Sequence, residues 1–200
     1  MSKRSWVVVA MIFAPSLLAA QDRSLPDKLA PAARATLERL IDSARTTGVP
    51  GAPLFDKVSE GVLKGGDDDR IIRAVRTLAR ELSDARSVLG SSVDLPLLSA
   101  GASALHAGVS LADLRRIARP SGAAPDPATL TTALVTLVDL VAKRVPVALA
   151  TSSIQSLVDR RANDRQFSEL RNGVEQDILA GRAPDASVTA RIKLPGATPP

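Results

Sequence analysis

Catalysis needs ionisable or nucleophilic side chains held close together, and this sequence offers few. Asp67-Asp68-Asp69 is its densest group of potential metal ligands. A calcium loop needs about six to eight oxygens at spaced positions, with a glutamate twelfth in line. Counting from Asp67, that position holds Leu78, and Gly66 lies ahead of the acids rather than among them. The run reads instead as the start of a helix, where carboxylates satisfy free amides and favour the positive end of the dipole.

His106 is the single histidine and there is no cysteine. A zinc site built around it would have only carboxylates to complete its ligands. Its place near the end of an Ala-rich segment, just before Gly108, suits a surface or helix-capping role. Glu60, Glu81 and Glu175 are the carboxylates to weigh for paired acid–base hydrolysis. Nothing in their spacing brings them together. Aromatic residues make up only 2% of the chain, so the rings that commonly seat a sugar are scarce. The G-x-S-x-G, S-x-x-K, P-loop and H-E-x-x-H motifs are absent. These observations lead us to expect no catalytic residue, no metal ligand, no cofactor-binding residue and no cofactor.

The formal charge is +5, or +3 once Lys3 and Arg4 are set aside with a leader. Basic residues alternate with acids at i,i+4 spacing in Asp69/Arg73, Arg80/Asp84, Arg165/Glu169 and Arg171/Glu175, as on solvated helix faces. The short basic spots Arg115-Arg116, Lys143-Arg144 and Arg160-Arg161 have no interleaved aromatics, which argues against nucleic acid as a partner.

The elements that would position these residues are helical throughout. Residues 1–20 have the form of a secretory signal peptide: Lys3 and Arg4, then the apolar run Trp6–Leu18, then small residues ending at Ala20. Cleavage near Ala20 and an exported (periplasmic or extracellular) location are the expectation. With the leader gone, no membrane span is expected. Residues 21–29 read as a polar leader, and residues 30–181 as one helical domain. Its first helix opens at Pro31 with the stripe Leu37, Leu40, Ile41 and Ala44. Its second follows Pro53 with Leu54, Phe55, Val58, Val62 and Leu63 inward. A long third follows the aspartates, with Ile71, Val75, Leu82 and Ala85 in its stripe and Gly90 at its end.

A small-residue helix runs from Leu97 to Ala107. A short one follows Ser110 with Leu111, Leu114 and Ile117. Residues 119–128 are an internal linker. Helices after Asp126, Pro146 and Asn163 or Asp164 complete the domain. Residues 182–200 carry four prolines and no apolar period that we could discern, and read as a disordered tail. No stretch alternates as a half-buried strand would.

The fold expected is therefore all-α, about eight helices in capped αα-hairpins, either a compact bundle or an irregular α-solenoid. Shifting the chain by 96 residues lays Val49-Pro50 on Val145-Pro146, Val58 and Val62 on Ile154 and Val158, and Asp68 on Asp164. This suggests an internal duplication. Gly48–Gly90, the run LVDLVAKRVPVALATSSIQSLV and the LRNGVEQDILAG ending resemble exported bacterial proteins of unknown function. That likeness spans roughly residues 48–181, rests on helix punctuation and implies a fold without an activity.

The function expected is a non-catalytic interaction or cell-envelope structural module whose partner is an unknown protein or envelope component. The alternative is a carrier of a small apolar ligand or lipid held between helices, for which Ala100–Ala104 and the Leu/Val-rich sixth helix could line a groove. A carboxylate-dependent hydrolase ranks third.

Overall fold

The computed structural model describes residues 24–120 and 122–192. Among the described residues there are nine α-helices and no strand. They are α1 (Pro31–Thr46), α2 (Ala52–Leu63), α3 (Asp68–Leu89), α4 (Leu95–His106), α5 (Leu111–Ala118), α6 (Pro127–Ala142), α7 (Val147–Asp159), α8 (Asp164–Leu179) and α9 (Pro184–Ile192). The proposed leader lies outside the described residues.

Most helices start where a side chain can take up a free amide. Asp67 Oδ1 accepts from Arg70 N at 2.7 Å, and Asp94 Oδ1 from Leu97 N at 3.0 Å. Ser110 and Asp126 do the same for α5 and α6. Asn163 and Gln166 form a reciprocal capping box at α8, each side chain accepting from the other's backbone N–H. Each such bond replaces a water lost at a helix end.

Packing is organised around α4, which lies against both α3 and α6. Contact on two sides explains why Leu97, Leu98, Ala100, Gly101, Ala102 and Ala104 are all buried on so short a helix. A Cβ on Gly101 would sit 2.8 Å from Leu89 Cδ1 and 3.2 Å from Ala85 Cβ, so the small residues are what let α3 and α4 meet. They are filled by neighbours and line no groove. Helices α1, α2 and α5 also pack on α3, while α7 and α8 pack on α6. The interior is aliphatic, with Phe167 its largest fully buried side chain.

The shift of 96 residues holds beyond the positions that suggested it. Pro31 falls on Pro127, so that the whole of α1 maps onto the range of α6, and α2 and α3 begin within a residue of the shifted starts of α7 and α8. Gly48 and Gly65 end α1 and α2 with φ of +81° and +69°. The residues at the shifted positions are Arg144 and Arg161, with φ of 68° and 58°. The closing hydrogen bonds match as well: Val49 N to Ala44 O at 3.0 Å and Val145 N to Leu140 O at 3.1 Å. The left-handed stop has therefore been kept in the second unit with residues that adopt it at a cost.

Several expectations need correcting. There is a ninth helix: residues 184–192 are not a disordered tail, because Val188 is fully buried and Ile192 packs beside the core. Helix α9 is too short to show a full apolar period. Its register is set by docking on α8 and α7. Residues 193–200 lie outside the described residues. The polar leader contains two core residues, Leu25 and Leu29, held in place as Arg34 donates to Leu25 O at 3.1 Å and Pro26 O at 2.8 Å. Leu63, expected inward, is exposed, and so is Leu111 of the short helix's apolar set. Each sits at a helix end, beyond the last or before the first turn that neighbouring helices cover. The 119–128 linker ends at Asp126, since Pro127 already belongs to α6.

Candidate functional site

The acidic run serves the fold. Asp67 caps α3, and Asp68 Oδ2 accepts from Ala30 N at 3.2 Å, tying the start of α1 to the start of α3. Among the described residues no group of three or more His, Asp or Glu side chains is arranged to hold a metal.

The structure scatters the three candidate glutamates. Glu81, on α3, has its Oε1 2.9 Å from His106 Nδ1 and accepts from that ring nitrogen, and so pairs two of the candidates across α3 and α4. His106 itself is largely exposed. Glu175, on α8, reaches Lys143 at the end of α6, 3.4 Å away. Glu60, on α2, lies 3.0 Å from Lys57 and also bonds Lys64. The Lys64 ammonium foremost, then Lys57, holds the Glu60 carboxyl down to about 2, so it is a fixed anion at neutral pH.

Three of the four expected i,i+4 ion pairs are exchanged for interhelix ties or dropped. Arg165–Glu169 forms at 2.7 Å, but Arg171 turns to Asp139 of α6 at 3.4 Å and leaves Glu175 to Lys143. Asp69/Arg73 and Arg80/Asp84 do not close among the described residues, which is unsurprising for exposed pairs worth little.

An open cleft of about 590 Å³ lies between α2, α3 and α4. Helix α2 lends it Pro53, Asp56, Lys57 and Glu60, which recur at i, i+3, i+4 and i+7 on the side away from buried Leu54 and Val58. Leu78 of α3 and Leu95 and Ser99 of α4 complete it. Leu95 keeps 42% of its surface exposed, as the first residue of its helix. The cleft thus offers aliphatic surface beside a Lys57–Glu60 pair. A smaller hollow of about 210 Å³ lies between α1 and α3, by Leu40 and Ala79.

Of the residues weighed from sequence, only Glu60 belongs to the cleft. Lys57, Leu95 and Ser99 were missed. The signal available was the second, polar stripe of α2, whose meaning depends on α4 crossing beside it. Among the described residues no helix is long and apolar enough to cross a membrane. No family model, curated protein or solved structure matches the chain.

Proposed function

We propose that this chain is an exported, non-catalytic interaction module that recruits a protein or envelope component through the α2–α3–α4 cleft. The observation that carries this reading is the cleft itself, with exposed Leu95 and half-buried Leu78 beside the Lys57–Glu60 ion pair. Apolar contact flanked by oriented charge is the usual composition of a recognition patch. The remaining ionisable candidates support it by their occupation: Asp67 and Asp68 tie helix ends, while Glu81 and Glu175 bridge helices. An open cleft also shields an apolar ligand poorly, which weighs against a lipid carrier.

The test is a photo-crosslinker placed at Ser99 in the full chain, expressed in its native envelope. We expect a discrete adduct that Leu95→Asp and Lys57→Glu each abolish while far-ultraviolet circular dichroism stays unchanged. An adduct pattern indifferent to both substitutions would remove the cleft from the reading.

A further inference from the structure

Helix α3 exposes a cation face for which the fold has no use. From Arg70 to Arg80 it carries four arginines and no acid. Arg73, Arg76 and Arg80 recur at i, i+3 and i+7, so they share one face and span about 10 Å along the axis. All three are exposed. Among the described residues none of them closes an ion pair or a side-chain hydrogen bond, whereas most arginines of α1, α8 and α9 do. The nearest acids on the helix are Asp69 and Asp84, one turn beyond either end of the trio, and Glu81 faces His106 instead.

The face is convex. The arginines line neither the α2–α3–α4 cleft nor the hollow beside α1. Helices α1, α2, α4 and α5 pack on α3 through its apolar stripe, which leaves this side without walls. Walls are what a peptide or small anion needs to be held. A flat sheet of charge needs none.

We propose that the Arg73–Arg76–Arg80 face docks on anionic phospholipid headgroups at a membrane surface. Every cation of the trio is arginine, whose planar fork matches phosphate oxygens two at a time and holds its hydration weakly. Its apolar stripe being committed to the core, α3 does not insert. Attachment is electrostatic, peripheral and reversed by salt. This face uses none of the cleft residues, so it stands or falls separately from the recruitment reading.

The experiment is co-sedimentation of the full chain with phosphatidylglycerol-containing vesicles and with pure phosphatidylcholine vesicles, at low and high salt. The variant is Arg73→Gln/Arg76→Gln/Arg80→Gln. The charge-matched control is Arg39→Gln/Arg160→Gln/Arg165→Gln. Lys3 and Arg4 are common to all three proteins and cancel in the comparison. We expect the trio variant to lose at least about tenfold in binding to the anionic vesicles, the control less than about threefold, and salt to abolish the difference. Equal losses in variant and control would reduce the effect to net charge and overturn the proposal. So would wild-type binding that ignores lipid charge, or full competition by polyglutamate at charge concentrations where inorganic phosphate has no effect, which would point to an acidic polypeptide.

Discussion

Thr151 buries a hydroxyl that has no hydrogen-bond partner among the described residues, on the inward side of α7. An unpaired buried hydroxyl is a standing cost, and valine fills nearly the same volume without it. Thr151→Val is expected to raise stability by about 1 kcal/mol in urea titrations. A loss of similar size would mean that the hydroxyl is satisfied after all. Asp177 is the opposite case. Its carboxylate sits 2.9 Å from Arg191 Nε and 3.4 Å from Arg182, and the Arg191 hydrogen bond foremost holds its pKa below the ordinary aspartate value. A carboxyl depressed in the folded state stabilises above its unfolded pKa, and that stabilisation fades as pH falls through the folded one. Asp177→Asn should therefore melt below the parent at neutral pH, with the gap closing below about pH 4. A gap that persists in acid would assign the effect to packing, not charge. Neither residue stood out in the sequence. The partnership of Asp177 depends on where α9 docks, and no spacing along the chain encodes that.

At the scale of the helix, the punctuation was readable and the facing was not. The starts at Asp67, Asp94, Ser110, Asp126 and Asn163 follow from side chains within a turn of the bond they make, and the start at Pro31 from the fixed φ of proline. Such signals survive without tertiary knowledge. Leu63 and Leu111 went astray because burial at a helix end depends on whether a neighbour reaches that far. The cleft was illegible for the same reason: its α2 half is local, but Leu95 and Ser99 arrive from a helix some forty residues on. The echo at 96 residues was visible in Val-Pro and cap positions, and its clearest structural counterpart is conformational. Arg144 and Arg161 hold the left-handed geometry that Gly48 and Gly65 adopt freely. Replacing each by glycine relieves that strain, partly offset by the greater freedom of the unfolded chain. Arg144→Gly and Arg161→Gly should each add about 0.5 kcal/mol, and the double variant about twice that, since the sites stop different helices. Thermal melts that fall in either variant would show the arginine side chains to be anchoring something in return.

Across the whole molecule, two three-helix groups, α1–α3 and α6–α8, meet at α4 through α3 and α6, and α9 packs on both α7 and α8. A guanidinium from α9 lies so close over α8 that a Cβ on Gly173 would collide with the Arg191 guanidinium. Ending the chain at Gly181 strips Val188 from the core and Arg191 from Asp177 together. The expected result is a lower melting temperature, roughly by the 5 °C or more that a fully buried valine and a lost ion pair imply, with the helical spectrum of α1–α8 retained below it. A truncated protein that melts with the parent would show α9 to be ornamental. Helix α9 is also the last described helix to leave the ribosome. Until it does, a nascent chain bears an unsealed aliphatic seam between α7 and α8, the kind of surface that chaperones hold and proteases find. Docking of the α9 turns thus covers apolar surface on which such factors would otherwise act.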